Sequence, residues 1–153
     1  MESVLNSFLI ISLGKDIFAV NISNILCIVE PSEITEIPDS PNFIRGITNF
    51  SGVILPVLDL KTKMNLGSTE IVKNVCIVVF EKIEDNKEVK VGVLVDSVIS
   101  VIEIKEDEID RTPINGIYSQ YIIGTTFFDN QIIMIVDINA VFNKSELSVD
   151  QLV

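Results

Sequence analysis

With 153 residues, of which 48% are apolar, the chain has enough apolar side chains to form the buried core of one domain. Its net charge of −11 opposes binding to nucleic acid or to an anionic membrane surface, because the few Lys and Arg residues form no basic cluster. The sequence contains no histidine, which excludes serine–histidine and cysteine–histidine nucleophile pairs and metal sites built on imidazole.

Near the start of the chain, residues 8–13 form an apolar stretch, which predicts a first β-strand. Gly14, Lys15 and Asp16 then predict a tight turn before a second strand. The opening lacks the basic start and the small-residue cleavage site of a signal peptide. No run approaches the roughly 18 apolar residues that span a bilayer, so the sequence predicts no direct membrane insertion.

The two cysteines, Cys27 and Cys76, lie 49 residues apart in apolar surroundings. They have neither the close spacing of a metal site nor the framework of a secreted, disulfide-rich protein. A free cysteine in such a setting usually behaves as a small core hydrophobe, so we predict that both thiols are buried and reduced. Reduced thiols and the missing signal peptide lead us to expect a cytoplasmic protein.

Two stretches of the chain, residues 43–60 and 121–138, repeat one pattern at an offset of 78 residues. The first stretch reads FIRGITNFSGVILPVLDL. The paired positions are Ile44 and Ile122, Gly46 and Gly124, Thr48 and Thr126, Phe50 and Phe128, Ile54 and Ile132, and Asp59 and Asp137. Segments that begin at Phe18 and Val91 also share an apolar pattern. The chain therefore contains two approximate copies of one unit, here named the first copy (15–66) and the second copy (88–143).

Each copy predicts a series of β-strands: two strands joined by a short connection, a proline-marked loop, a strand that begins near a glycine, a tight turn and a last strand. The tight turns fall at Ser51-Gly52 and at Asp129-Asn130, because Asn, Asp and Gly tolerate the positive φ of hairpin turns. Branched and aromatic side chains dominate the apolar residues and favour strands. We predict an all-β fold of two small barrels that pack over a shared apolar core.

Two aspartates, Asp59 and Asp137, each follow a predicted last strand and precede a helix-compatible segment, residues 60–67 and 138–145. A carboxylate at such a position caps free backbone N–H groups at the start of a helix. Neither aspartate is paired with a partner acid or base in the sequence, which favours the structural cap over catalysis. The sequence therefore predicts one or two short helices.

Several other patterns resemble binding motifs without meeting their requirements. Residues 45–52 contain two glycines but lack the Gly-Lys-Ser/Thr ending and the following helix of a phosphate cradle. The acidic segment 103–111 lacks the glycine-centred loop of a Ca²⁺ site and predicts a solvated edge. We therefore expect no catalytic residue, no metal and no cofactor, and we interpret the chain as a binding module for other proteins.

The hairpin motifs resemble the CheW-like family, which comprises chemotaxis coupling proteins and the matching regulatory domain of the histidine kinase CheA. The resemblance covers residues 8–142 in register, and its motifs are residues 33–42, 43–60, 91–104 and 124–138. It implies a single domain, residues 1–153, made of two intertwined, five-stranded, SH3-like barrels around a common core. It also implies a non-catalytic adaptor, monomeric alone, that links the cytoplasmic tips of methyl-accepting chemoreceptors to the regulatory domain of CheA in signalling arrays.

The resemblance also assigns partner contacts to particular residues. The family positions tied to kinase or receptor contact are Ile25, Gly46, Gly92, Val98 and Gly124. To these we add residues of the same stretches, namely Cys27, Phe43, Ile47, Asn49, Ser51 and Gly52. We expect exposed apolar side chains around Ile25, Phe43, Ile47 and Phe50, with the kinase on one barrel and the receptor in an apolar groove between the barrels.

Two positions depart from the family pattern: Ser51 stands where many members have arginine, and Cys27 stands where some members have an acid. If those charges form an ion pair in other members, the loss of both avoids stranding one charge in a partly buried place. On that hypothesis an arginine alone at position 51 destabilises the fold. Serine also cannot make the forked hydrogen bonds of arginine, so the departure predicts an altered strength or choice of partner.

Two other classes of function stay open at this point. A small-molecule sensor would hold an apolar ligand between the barrels, since ligand sites favour clefts at such junctions. An enzyme that uses carboxylates alone is the third alternative, and a sealed, dry core between the barrels would argue against it.

Overall fold

The computed structural model of the chain describes residues 5–113 and 119–142, which contain ten β-strands and two four-residue α-helices. The strands are β1 (Leu5–Leu13), β2 (Asp16–Asn21), β3 (Ile25–Val29), β4 (Ile44–Phe50), β5 (Val53–Asp59), β6 (Cys76–Glu84), β7 (Lys87–Val95), β8 (Ser97–Lys105), β9 (Ile122–Phe128) and β10 (Gln131–Val136). Helix α1 (Leu60–Lys63) follows β5, and α2 (Ile138–Val141) follows β10. The end of the second helix-compatible segment, residues 143–145, lies outside the described residues.

The strands of the described residues form two five-stranded sheets. The first sheet has the order β8-β1-β2-β10-β9, and the second has the order β3-β6-β7-β5-β4. Neighbouring strands are antiparallel except for two parallel pairs, β2 with β10 and β5 with β7. The predicted fold class, all-β with two five-stranded subdomains, a shared core and short helices, is confirmed.

The two sheets do not coincide with the two sequence copies. Strand β2 belongs to the first copy but lies in the first sheet beside β10, and β7 belongs to the second copy but lies in the second sheet beside β5. Each copy therefore contributes one strand to the sheet that is built mainly by the other copy. The apolar surface of one copy is buried only when both are present.

Strand alternation divides the buried residues into three clusters, because successive side chains point to opposite faces of a sheet. In β7, Val91 and Val93 belong to a cluster shared by both sheets, whereas Leu94 belongs to the cluster of the second sheet. In β1, Leu9 belongs to the shared cluster and Ile10 to the cluster of the first sheet. Strands β1 and β7 thus contribute side chains both to the cluster of their own sheet and to the cluster shared by the two sheets.

The shared cluster is the largest of the three among the described residues and is nearly filled. Phe80 and Phe142 meet edge to face in it, with 5.4 Å between ring centroids. Burying one such apolar side chain contributes about 1.5–3 kcal/mol. The remaining void beside Leu9, Phe80 and Ile138 has a volume of about 10 Å³, which is barely the room that one water needs. The predicted shared core is thus a closely packed hydrophobic core between the two sheets.

The predicted hairpin turns are confirmed in both copies. Strands β4 and β5 are joined by Ser51 and Gly52, with φ of +49° and +83°. Asp129 and Asn130, with φ of +50° and +63°, join β9 and β10. Gly52, Asp129 and Asn130 are residue types that tolerate the left-handed conformation, whereas Ser51 adopts it without such a preference.

The predicted helix caps are confirmed as well. The side chain of Asp59 accepts a hydrogen bond from the Lys61 N–H, and that of Asp137 accepts one from the Asn139 N–H, each at 3.1 Å. Both aspartates have extended backbones, as N-cap residues do. Helices of four residues depend on such caps, because they have few internal hydrogen bonds of their own.

Asp96 fixes the point where the chain crosses from the second sheet to the first, between β7 and β8. Its backbone N–H donates to the Ser12 carbonyl at 3.1 Å. Its Oδ2 accepts from the Gly14 N–H at 2.6 Å and lies 3.3 Å from the Lys61 ammonium. The crossing is thereby tied to the first β-hairpin and to α1, so the start of β8 has a defined place between the sheets.

Candidate partner-binding site

An open groove of about 630 Å³ runs along the hairpin of β4 and β5 and is named here the hairpin groove. Three predicted partner residues line it: Ile47, Asn49 and Gly52. The backbones of Thr35 and Ile47 pair with N···O distances of 2.8 and 2.9 Å and close one side of it. Ile54, which is 61% exposed, adds apolar surface to its lining.

A larger groove of about 880 Å³ lies at the junction of the two sheets and is named here the junction groove. It is lined by Cys76 at the start of β6 in the second sheet, by Glu30 directly after β3, and by the predicted partner residue Val98 of β8 in the first sheet. Ile71 and Val72, in the loop between α1 and β6, are 45% and 56% exposed and also line the groove. Apolar side chains from both sheets thus meet at one accessible surface.

The predicted partner residue Ile25 lies elsewhere. It is half-buried against the shared cluster and lines a third groove of about 450 Å³, beside Leu26, Glu81 and Lys82. The three grooves share no lining residue. The structure therefore brings the predicted residues to separate surfaces rather than to one site.

The expectation that Phe43 is exposed is wrong. Its side chain is 8% exposed and belongs to the shared cluster. The Lys63 ammonium lies 3.9 Å from the ring centroid, so the ring is covered by α1. The Phe43 carbonyl accepts the Asp59 N–H at 2.7 Å, which fixes the residue immediately before β4. Phe43 therefore stabilises the fold beneath the grooves instead of lining one.

The three glycines predicted to contact partners, Gly46, Gly92 and Gly124, are all buried. A Cβ at Gly46 would lie 2.1 Å from the Thr35 carbonyl oxygen, and its φ of +145° also requires glycine. At Gly92 and Gly124 a Cβ would lie 2.7 and 2.6 Å from side-chain methyl carbons. Internal packing thus explains each glycine, and their contact with partners stays a prediction.

The structure places the two departures from the family pattern in different environments. Ser51 is exposed at the hairpin turn, whereas Cys27 is half-buried and, with Phe50, packs against the cluster of the second sheet. The expectation of a partly buried place at position 51 is therefore wrong, because a side chain at this turn is solvated. An arginine there would keep its hydration, so its charge would not be stranded.

Sequence reasoning missed a polar network beside the junction groove. The fully buried carboxylate of Asp59 accepts hydrogen bonds from the Thr69 N–H and the Thr69 hydroxyl, both at 2.8 Å. Arg45 Nη1 donates to the Thr69 carbonyl at 2.6 Å and lies 3.3 Å from Asp59 Oδ2. An arginine within an apolar strand was a signal for this network, but Thr69 stands in a polar loop and gave none.

The described residues contain no group of three or more His, Cys, Asp or Glu residues that could hold a metal ion. Cys27 and Cys76 are free thiols. Burial, followed by the nearby Glu30 carboxylate, raises the pKa of the Cys76 thiol, which keeps it protonated near neutral pH. None of the described helices has the length and apolar character to cross a membrane.

Comparison with known proteins gives the family. The model of the CheW-like domain family matches residues 7–146. The chain belongs to the CheW-like domain family. Among its relatives, chemotaxis protein CheW of Klebsiella aerogenes is 27% identical over 149 residues, which are 96% of this chain and 87% of the relative. Chemotaxis protein CheW of Thermotoga maritima is 29% identical over 146 residues, which are 94% and 93% of the two chains.

A solved CheW-like structure has the same fold. The crystal structure of the scaffolding protein TtCheW from Thermoanaerobacter tengcongensis matches with a TM-score of 0.80 and 28% identity, and the match covers 93% of this chain and 90% of that one. The resemblance seen in the hairpin motifs is thereby confirmed. The chain is thus a CheW-like chemotaxis protein of the adaptor or scaffold type.

Proposed function

We propose that this CheW-like chain is a non-catalytic adaptor that couples the cytoplasmic tips of chemoreceptors to the histidine kinase CheA. The observation that carries the proposal is the pair of open grooves, hairpin and junction, that share no lining residue. Both lie on one body whose sheets are joined by a packed core. Two partners are then able to bind at the same time without competing for the same side chains.

The hairpin groove is the proposed docking site for the regulatory domain of the kinase. Val53 and Ile54 are 47% and 61% exposed and provide apolar surface. Glu33 and Asn49 lie beside them and provide polar groups. An apolar centre with a polar rim is the usual composition of a protein–protein interface. The groove belongs to the second sheet alone, in agreement with a kinase that binds one barrel.

The junction groove is the proposed docking site for the receptor tip. Its apolar residues Ile71, Val72 and Val98 come from both sides of the sheet junction. Glu30 and Lys73 add one charge of each sign to its lining. A partner segment with an apolar stripe and flanking polar residues fits such a groove.

The core between the two sheets offers no ligand site. Its void has a volume of about 10 Å³, whereas small-molecule sites occupy about 300–1,000 Å³, so a small molecule would have to bind in one of the open grooves instead. The fully buried Asp59 carboxylate accepts hydrogen bonds from Thr69 and Lys61 and pairs with Arg45. Its role is therefore structural, because it is not accessible to a substrate. A protonated Cys76 also lacks the thiolate that a nucleophile needs.

Two single substitutions test the proposal, each at an exposed residue of one groove. Ile54→Asp places a charge in the hairpin groove, and Val72→Asp places one in the junction groove. Isothermal titration against the kinase regulatory domain and against a receptor cytoplasmic fragment, both from the same organism, is the measurement. We expect Ile54→Asp to weaken kinase binding and Val72→Asp to weaken receptor binding, each by about tenfold or more.

Ile99→Asp is the matched control, because Ile99 is 49% exposed and lines neither groove. It should bind both partners like the wild type. A wild-type chain that folds but binds neither partner would contradict the adaptor function. Variants that weaken both partners together would contradict the assignment of separate grooves.

A further inference from the structure

The loop between α1 and β6 presents exposed apolar residues between two buried anchors. Thr69 is 2% exposed, and Val75 is 5% exposed within the cluster of the second sheet. Between them, Ile71 and Val72 project into the surroundings of the junction groove. The Val75 N–H donates to the Val72 carbonyl at 3.3 Å, so the segment ends in a turn. The direction of the two apolar side chains therefore depends on how firmly Thr69 is held.

Thr69 is held by its backbone and by its side chain. Its N–H and hydroxyl both donate to the Asp59 carboxylate at 2.8 Å, and its carbonyl accepts from Arg45 Nη1 at 2.6 Å. Without Arg45, the Asp59 carboxylate would keep these two donors and the Lys61 N–H at 3.1 Å. The carboxylate would keep three hydrogen bonds but lose its cation, and the Thr69 carbonyl would lose a charge-assisted bond. Arg45 thus joins the Asp59 carboxylate to the Thr69 carbonyl and so contributes to the orientation of the loop.

A β-bulge aims Arg45 at this loop. The pairing of β4 with β5 shifts between Ile44 and Gly46, which leaves Arg45 as the extra residue. The second copy has the same irregularity between Ile135 and Val136, opposite Gly124 and Ile122. Ile123 stands at that bulge, is 42% exposed and has no side-chain donor. The arginine is therefore specific to the hairpin whose bulge faces the loop of the junction groove.

We propose that Arg45 is a positioning residue for receptor binding: through the Thr69 carbonyl it holds Ile71 and Val72 as the apolar wall of the junction groove. This inference rests on the proposed function, in which a receptor segment occupies that groove. The wall selects for an apolar segment of the receptor tip. Arg45 itself makes no contact with the receptor in this account, and its effect is transmitted through the loop.

The test replaces Arg45 by the residue that the second copy carries at the same bulge. Arg45→Ile is titrated against the receptor cytoplasmic fragment and against the kinase regulatory domain. We expect receptor binding to weaken by about tenfold and kinase binding to stay within about twofold of the wild type. Arg111→Ile is the matched control, because it makes the same change at an exposed arginine that pairs with Glu106, outside the junction groove.

Two further readouts separate positioning from a general loss of structure. Amide hydrogen exchange of Thr69 and Val75 is expected to be faster in Arg45→Ile than in the wild type, with the strands of the first sheet unchanged. Arg45→Lys is expected to recover part of the receptor affinity, since an ammonium is also able to donate to the Thr69 carbonyl. Neither readout depends on the kinase.

The outcomes distinguish this inference from the proposed function. If the wild type binds the receptor fragment and Arg45→Ile binds it equally well, the positioning role is overturned and the adaptor function stands. Equal weakening of receptor and kinase binding, or unchanged exchange at Thr69, also overturns the role of Arg45. If the wild type does not bind the receptor fragment at all, the proposed function fails and this inference fails with it.

Discussion

The two hairpins, β4–β5 and β9–β10, share a backbone but differ in the side chains that face their surroundings. Thr48 donates to the Glu33 carbonyl at 2.8 Å in the first hairpin, and Thr126 donates to the Glu108 carbonyl at 2.9 Å in the second. The bulge residue differs, because Arg45 in the first hairpin corresponds to Ile123 in the second. The repeated residues thus maintain the backbone, and the differing residues determine what each hairpin is able to bind.

The largest expected difference in stability is between substitutions of the paired glycines, Gly46 and Gly124. Gly46→Ala should lower the free energy of unfolding by about 3–5 kcal/mol, since backbone strain adds to a clash with a carbonyl oxygen. Gly124→Ala should lower it by about 1–3 kcal/mol, because its φ lies outside the left-handed region and its nearest neighbour is a methyl carbon. Urea denaturation of both variants gives the two values. Equal losses would contradict the claimed difference in strain.

The next largest difference in stability is expected between substitutions of the two capping aspartates, Asp59 and Asp137. Asp59→Ala should cost about 3–5 kcal/mol, because it leaves buried donors of Thr69 without a partner and Arg45 without its anion. Asp137→Ala should cost about 1 kcal/mol, the usual value for a lost helix cap. Thermal and urea unfolding measure both. A loss at Asp137 as large as at Asp59 would show that the buried network adds nothing to the cap.

An exchange of residues between the hairpin tips should have smaller and unequal effects. Asn49 accepts a hydrogen bond from the Gly52 N–H at 2.8 Å, so Asn49→Phe should cost about 1 kcal/mol. Phe127, the corresponding residue, is 75% exposed, so Phe127→Asn should change stability by no more than about 0.5 kcal/mol. Chemical denaturation is again the measurement. A large loss for Phe127→Asn would mean that this ring packs against the fold.

The smallest expected effect is a gain in stability on substitution of Ser100. Ser100 in β8 corresponds to Cys27 in β3, and both lie beside a bulge of an edge strand. Among the described residues the Ser100 hydroxyl is the buried side-chain group without a hydrogen-bond partner. Ser100→Cys should therefore raise the free energy of unfolding by about 0.5–1 kcal/mol, because a thiol tolerates an apolar site better than a hydroxyl does. A decrease would show that the sulfur does not fit.

The local elements were largely predictable from sequence. The hairpin turns at Gly52 and Asp129 and the caps at Asp59 and Asp137 follow from residue types with strong local preferences. Apolar alternation and the internal repeat then predict two small β units with a joint core. The exchange of β2 and β7 between the sheets was not predictable in this way. Alternation tells which face of a strand is buried, not which strand lies beside it.

The candidate site was predictable only in part, because exposure depends on neighbours that are distant in the sequence. Ile47, Asn49 and Val98 line open grooves, and their contact with partners stays a prediction. Phe43 does not line a groove, since α1 folds back over its ring. Thr69 was invisible in the sequence, because a threonine in a polar loop has no pattern that marks it as buried against Asp59.

The most direct test of the account asks whether the two partners bind at once. The chain is first saturated with the receptor cytoplasmic fragment, and the kinase regulatory domain is then titrated by calorimetry. Separate grooves predict a three-component complex, with a kinase affinity within about threefold of that of the free chain. Loss of kinase binding in proportion to the bound receptor fragment would show that both proteins use one surface, and would contradict the account.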